Sequence, residues 1–362
     1  MKAFLKHLLL FGPLFALTLQ ADPLIEESIP VIDMELYDNP FKRAAFIEQF
    51  TDALHKIGFC AIVNTKVNIE ALESGYQASR QFFKSSKEKK LEIYAPHLNG
   101  QRGLSLSEIA QGKNKFDYKE FFHVGRDKNL WPRWMDLRTP TENLIHHLDE
   151  YSEKLQVALS VFMEQPEDYL KKMTENGECI LRSLYYPKNP SPGQFWAAAH
   201  TDIDLFTILP MSTEEGLEVL HEGKWIRVKV PKDAFIINCG DMLENLSNGY
   251  FKSSVHRVVS QPDKERFSIV YFVHPKYRDR LDPLPSCIRL TGGMQRFPDA
   301  AGLDMLAHRL VEIGLASEEL KAFDAQSGYM EKIEDLVARG VASPAVEKTH
   351  NVWQKIQANK SP

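Results

Sequence analysis

From Glu178 to His274 the chain breaks into short runs rich in β-branched and aromatic residues, and these constrain the fold more than any other feature. The runs are Cys179–Tyr186, Leu205–Leu209, Leu217–Leu220, Trp225–Val228, Ala234–Asn238, Phe251–Val259 and Phe267–Val273. Turn formers part them: Pro187, Gly193, Gly216, Gly223, Gly240 and Gly249. Each run is too short for a helix, and regular short strands separated by turns predict a β-sandwich or jelly roll. The flanks read differently. Pro30–Asp33 and Phe59–Val63 read as strands around a helix at Phe41–Lys56, which Gly58 ends, and Asn68 is placed to cap a second helix reaching about Phe83. A long helical period spans Thr141–Thr174, and Ala301–Ile313 and Glu318–Arg339 read as helices covering the β core.

One stretch carries chemistry. In Ala197-Ala198-Ala199-His200-Thr201-Asp202, a His and an Asp stand two positions apart just before an apolar run. In an extended strand, residues i and i+2 share a face, so His200 and Asp202 can aim at one point. His256 supplies a second imidazole, in a strand-like run after a Ser247-Asn248-Gly249 turn. Two imidazoles and a carboxylate on one face of a metal leave its other positions open, which suits iron(II) binding a co-substrate and dioxygen together. A closed zinc site would want a fourth protein ligand. With 12 His and 49 Asp plus Glu in the chain, a lone His-x-Asp arises easily by chance, so the argument needs a set. Arg266 and Ser268 extend it, again as i and i+2 on an apolar run. An Arg among core residues is costly unless an anion neutralises it, and its planar fork beside a hydroxyl makes a carboxylate receptor.

These residues resemble the iron(II)/2-oxoglutarate-dependent oxygenases of the isopenicillin N synthase-like group. The likeness extends to Leu181–Pro187, Gly223–Val228, Asn238–Glu244, Ile29–Asp33 and Ile57–Asn64, in the family's order. It implies a mainly β fold with flanking helices: a double-stranded β-helix (jelly roll) core with an N-terminal α/β module. The expected division is 28–125 for the N-terminal module, 126–177 for a helical connection, 178–280 for the jelly roll and 281–362 for a helical extension.

The resemblance further implies iron(II) at His200, Asp202 and His256, with 2-oxoglutarate as co-substrate and O2 as oxidant. Succinate and CO2 would be formed as a small organic substrate is hydroxylated, desaturated or cyclised. Arg266 and Ser268 would receive the far carboxylate of 2-oxoglutarate, and Tyr186 matches a tyrosine that also contacts it. Leu184 departs from the pattern, standing where many plant members have Asn. Substrate-pocket candidates are Arg102, in a Gly- and Ser-rich loop over 97–112, and Phe195 and Phe206, which flank the metal motif. Asp204 is either an acceptor behind Asp202 or a strand-edge residue. His123 and Trp225 read as structural. Two alternatives remain: an iron oxidase that needs no 2-oxoglutarate and binds a substrate carboxylate at Arg266/Ser268, and a metal-binding jelly roll without turnover.

Net charge is −5 and the sequence pI about 6.2, with no basic run, which argues against nucleic acid as a partner. The four Cys include no Cys-x-x-Cys pair, and Cys60 and Cys239 read as core residues. Residues 1–21 resemble a secretory signal: Lys2 and Lys6 precede an apolar run from Leu8 to Leu19, and Ala21 follows. The run is too short for a stable membrane span. The expectation is an exported or periplasmic monomer acting on a small molecule, the alternative being a cytoplasmic one.

Overall fold

The computed structural model describes residues 29–95, 102–106, 117–210, 212–261 and 263–358. The expected signal segment lies outside these residues, and so does the 97–112 loop except for 102–106.

The strands are β1 (Val31–Asp33), β2 (Phe59–Val63), β3 (Leu104–Ser105), β4 (Glu120–Val124), β5 (Ile180–Tyr186), β6 (Ala197–His200), β7 (Phe206–Leu209), β8 (Leu217–His221), β9 (Lys224–Arg227), β10 (Phe235–Cys239), β11 (His256–Val258) and β12 (Arg266–Val273). They form a large sheet in the order β1-β2-β10-β7-β12-β5-β4-β3 and a smaller one in the order β6-β11-β8-β9. Among the strand pairs of the described residues, β1 and β2 run parallel and the others antiparallel. This is the jelly roll, with the N-terminal module's β1 and β2 continuing the large sheet.

Strand alternation fixes which side chains meet. Leu184 and Tyr186 of β5 and Val270 of β12 point between the sheets, where they join Ala197, Leu217, Val219 and Val258 of the smaller sheet. Their neighbours in sequence, Leu181 of β5, Phe206 and Ile208 of β7 and Tyr271 of β12, face the other way. There they pack on Leu144, Leu148, Leu155 and Leu159 of the helix Arg138–Phe162. Each of these large apolar side chains contributes on the order of 1.5–3 kcal/mol by leaving water.

Asn68 caps the helix Ile69–Phe83, its side chain accepting from the backbone N–H groups of Glu70 and Ala71. The helix expected over Thr141–Thr174 is two, Arg138–Phe162 and Tyr169–Thr174, with Pro166 between them. The one expected over Glu318–Arg339 also divides, at Gly328, whose φ of 69° is left-handed. A terminal helix, Pro344–Ala358, was not anticipated.

The strand expected at Phe251–Val259 shortens to β11 for a reason that bears on the site. Phe251 is pulled into the helical layer against Phe162. The residues after it bind the N-terminal module: the Lys252 N–H donates to the Leu54 carbonyl and the Ser254 hydroxyl to that of Ile57. Gly58 makes this docking possible. Its φ is 77°, and a Cβ there would lie 2.2 Å from the Lys252 carbonyl oxygen.

Four C-terminal helices, Gly302–Glu312, Glu318–Gln326, Tyr329–Ala338 and Pro344–Ala358, meet at His308. Its Nδ1 lies 3.2 Å from Asp324 and its Nε2 3.6 Å from Glu312, and its ring packs near those of Tyr329 and Trp353. Burial opposes charging the ring, but the two carboxylates prevail and raise its pKa to about 9. The raised folded-state value means that the stabilisation is fully present below about pH 6.5 and is lost as pH rises through about 9. Thermal melts of wild type and His308→Gln should therefore differ most near pH 6 and converge by pH 9.5. A gap that is constant with pH would rule out a charged His308.

Candidate active site

β6 and β11 pair antiparallel, with His200 directly opposite His256. Their ring centroids lie 4.4 Å apart. β6 ends at His200, so Asp202 does not reach the site by strand alternation. It sits in the turn before β7, and the backbone holds it there: the Asp241 N–H donates to the Asp202 carbonyl at 2.8 Å, and the Leu205 N–H donates to Val273 of β12. Asp202 Oδ1 lies 3.7 Å from His200 Nε2 and 3.8 Å from His256 Nε2. One ligand atom from each residue falls within 4.8 Å of the other two.

Hydrogen bonds orient each of these groups. His200 Nδ1 faces the Ala198 carbonyl at 2.7 Å and His256 Nδ1 that of Ser254 at 3.2 Å. A carbonyl can only accept, so the Nδ1 atoms carry the protons and the Nε2 lone pairs point at the common centre. Asp202 Oδ2 accepts from Asn238 Nδ2 at 2.8 Å and Thr207 Oγ1 at 2.7 Å, which leaves Oδ1 to face the imidazoles. Burial works against ionising Asp202, but the two His, Asn238 and Thr207 outweigh it and hold the carboxyl at about 2. Burial, with His256 alongside, lowers His200 to about 4, so the imidazole is neutral and free to bind a metal. Asp204 is fully buried behind this set, with Oδ2 2.9 Å from Thr207 Oγ1. Burial and the charge of Asp202 keep its carboxyl protonated far above the usual range. Gly240 packs against it so closely that a Cβ would lie 2.0 Å from Asp204 Oδ1.

The triad opens into a cavity of about 50 Å³ between the two sheets. Arg266, Ser268 and Tyr186 line it too, with Arg266 opposite Tyr186 and Ser268 opposite Leu184 in the β12–β5 register. Arg266 is 3% exposed. Its Nε donates to the Glu214 carbonyl at 2.9 Å and its guanidinium lies 5.1 Å from the Tyr186 ring, but Nη1 has no hydrogen-bond partner. A buried cation with an unmatched donor is a receptor awaiting an anion.

The three pocket candidates are not among the described residues that line this cavity. Arg102 is a structural clamp, with Nη1 on Asp127 at 2.9 Å and Nη2 on Glu178 at 2.7 Å. Phe206 faces the helical layer because its neighbour Thr207 takes the inward position on β7. Phe195 is half-buried, with the Arg257 guanidinium 5.4 Å from its ring. Trp225 lies buried under the same guanidinium, at 3.8 Å. His123 stands outside the triad and accepts from Arg182 Nε.

Sequence reasoning missed Thr207, Asn238, Lys119 and Arg182, the last two being cavity-wall cations. Alternation backward along β5 from Tyr186 reaches Arg182. The place of Lys119 depends on pairing between distant segments, and no local pattern carries that.

Comparison with known proteins places this geometry in a family. Residues 177–275 match the 2OG-Fe(II) oxygenase superfamily, and residues 29–143 match the non-haem dioxygenase in morphine synthesis N-terminal family. Flavanone 3-dioxygenase 2 from Oryza sativa subsp. japonica is 30% identical over 268 residues, which is 72% of this chain and 77% of that protein. A Caulobacter crescentus structure assigned to the 2OG-Fe(II) oxygenase family superposes with a TM-score of 0.71 at 29% identity, covering 79% of this chain and 99% of that one. Full-length Neurospora crassa T7H in complex with alpha-KG superposes with a TM-score of 0.69 at 25% identity, covering 78% and 96%.

The chain belongs to the 2OG-Fe(II) oxygenase superfamily. It is an oxidoreductase that uses iron(II), 2-oxoglutarate and O2, coupling decarboxylation of 2-oxoglutarate to oxidation of a small organic substrate.

Groups behind metal ligands typically tune metal affinity about 10–100-fold. Asn238→Ala should accordingly weaken iron(II) binding by roughly that factor in an anaerobic titration. Wild-type affinity in this variant would show that Asn238 does not orient Asp202.

Proposed function

We propose that His200, Asp202 and His256 are the iron(II) ligands of this oxygenase and that Arg266, Ser268 and Tyr186 receive the distal carboxylate of 2-oxoglutarate. The observation that carries this reading is the unpartnered Arg266 Nη1, buried in the same cavity as the triad. The donor set fits iron(II): two imidazoles and one carboxylate converge on one point. When bound, the metal supplies the redox chemistry that joins decarboxylation to substrate oxidation.

The protein's own residues supply position and environment. The Ala198 and Ser254 carbonyls fix the imidazole tautomers, and Asn238 and Thr207 fix the carboxylate rotamer. Arg266, held by the Glu214 carbonyl and the Tyr186 face, presents its free donor without having to reorganise. Leu184, Leu217 and Val258 line the cavity and limit water there, so the charge-assisted contact is not diluted by solvent. Leu184 offers no polar contact, which leaves the co-substrate to Arg266, Ser268 and Tyr186.

Lys119, ion-paired with Asp117, and Arg182, which donates to His123, line the same cavity and make its wall polar toward a small-molecule substrate. We further propose that the protein works as a monomer and that residues 1–21 direct export, on the strength of the lysine-then-apolar pattern ending at Ala21. No helix among the described residues is long and apolar enough to cross a membrane.

The apo-protein, given iron(II) and 2-oxoglutarate without oxygen, should develop a weak visible charge-transfer band and release succinate once air is admitted. Arg266→Ala should raise the 2-oxoglutarate requirement strongly, since breaking a buried charge-assisted pair costs on the order of 2–5 kcal/mol. An unchanged requirement would move the co-substrate site elsewhere. His200→Ala should abolish iron-dependent turnover, and full retention would refute the ligand assignment. Intact-mass analysis of the protein recovered from its native host should show a chain beginning after Ala21. A chain that still begins at Met1 would refute cleavage.

A further inference from the structure

The superfamily match ends at residue 275, yet the helix Gly302–Glu312 beyond it sends a side chain back to the triad. Arg309 is 16% exposed at its side chain. Its Nη2 pairs with Asp241 Oδ2 at 2.5 Å, its Nη1 lies 3.4 Å from both the carbonyl and the hydroxyl oxygen of Thr201, and its Nε faces Glu312 at 3.2 Å. Thr201 is the residue between His200 and Asp202. Asp241 reaches the other parts of the site: its backbone N–H holds the Asp202 carbonyl, and its Oδ1 accepts from Ser253, three residues before His256. The Thr201 hydroxyl also donates to Asp241 Oδ2, at 3.3 Å. One guanidinium thus braces the backbone on both sides of the triad. A planar fork is suited to this, because separate N–H groups can serve a carboxylate and a carbonyl at once.

We propose that Arg309 is a positioning residue for the iron centre, fixing the turn that carries Asp202 and, through Asp241 and Ser253, the approach to His256. The proposal rests on the ligand assignment above. It adds that the C-terminal extension completes the metal site as well as covering the jelly roll. Arg309 does not line the triad cavity and acts through Thr201 and Asp241.

Arg309→Lys tests this with little risk to the fold. The ammonium keeps the charge that Asp241 and Glu312 need, but it cannot bridge Asp241 and Thr201 as the fork does. Thr201→Ala is the companion variant, leaving every charge in place while removing one contact of the brace. Full-length apo-protein of each variant, with His200→Ala as reference, is titrated anaerobically with iron(II), and its melting temperature is read with and without the metal. Arg309→Lys should bind iron(II) about 10-fold or more weakly, with a smaller rise in melting temperature on adding the metal. Thr201→Ala should shift in the same direction by less. At saturating iron, the KM for 2-oxoglutarate should stay at the wild-type value in both.

A merely stabilising arginine would lower the melting temperatures of the apo and iron-loaded protein together and leave the affinity alone. Wild-type iron affinity in Arg309→Lys, with binding lost in His200→Ala, would overturn the proposal while leaving the ligand assignment intact. Were Arg309→Lys to fail to fold, Thr201→Ala would decide, and wild-type affinity there would overturn the proposal. Wild-type iron binding by His200→Ala would instead overturn the ligand assignment, and this inference with it.

Discussion

A carboxylate buried between two imidazoles is the interaction on which the rest depends. Asp202 is 8% exposed, and taking a lone anion that far from water costs several kcal/mol. The chain compensates at one oxygen only: Asn238 and Thr207 occupy Oδ2, while Oδ1 faces His200 and His256. The carboxylate therefore cannot rotate without giving up two hydrogen bonds, and its free oxygen keeps its aim. Asp204, kept protonated behind Thr207, adds no second negative charge beside it. Much of the surrounding architecture follows from this need. β7 presents Thr207 inward at the expense of Phe206, β10 supplies Asn238, and Gly240 is bare because a side chain would strike Asp204.

The large sheet solves a second charge problem by the same economy of position. Arg266 enters the inter-sheet space on β12 with one nitrogen satisfied by the Glu214 carbonyl and another left unmatched. An unmatched buried donor normally destabilises, and such strain persists where a ligand completes it. Under the proposed assignment, one cavity offers a metal face and a cation that a dicarboxylate co-substrate would satisfy together. Apolar neighbours such as Leu184 and Val270 line the same cavity and lower the local dielectric, which strengthens charge pairing.

Local pattern made some of this readable. The alternation that puts Arg266 beside Ser268, and Tyr186 on the facing strand, is a property of neighbouring residues, and it survives in the structure. The strand array was legible for the same reason, because each turn carries its own Gly or Pro. Asp202 shows where the reasoning reached the right place by the wrong route. Alternation pointed it at His200, yet β6 ends at His200, and it is the Asp241 N–H that sets Asp202 in place. Phe206 shows the cost of an unknown phase: period two leaves two choices of face, and only the pairing of β7 with β10 and β12 selects one. Arg102 stood as a pocket candidate because the family resemblance puts its loop near the pocket mouth, whereas its partners Asp127 and Glu178 come from other segments.

The same distinction explains why the C-terminal extension looked like a passive cover. Its helical periods report only that apolar stripes need burial, and they are silent about Arg309, which from sequence is one charged residue among many on an amphipathic helix. What gives it a role is distance in three dimensions: its fork lies between Thr201 and Asp241, which are more than 60 residues earlier in the chain. A brace from outside the matched domain also fits the mechanics of the site. Asp202 lies in a turn, and turns are the most easily deformed part of a sheet protein. The core strands hold His200 and His256 by pairing β6 with β11, whereas the strands reach Asp202 through side chains, Asn238 of β10 and Thr207 of β7. The backbone of its turn takes further contacts from outside the sheets, and a helix packed across it can deliver a charge-assisted contact from a rigid frame. His308, one residue before Arg309, anchors that frame to the three helices that follow. In the proposed brace, the coupling runs from a buried histidine network through one arginine to the turn that carries Asp202, the one candidate ligand that lies outside a strand.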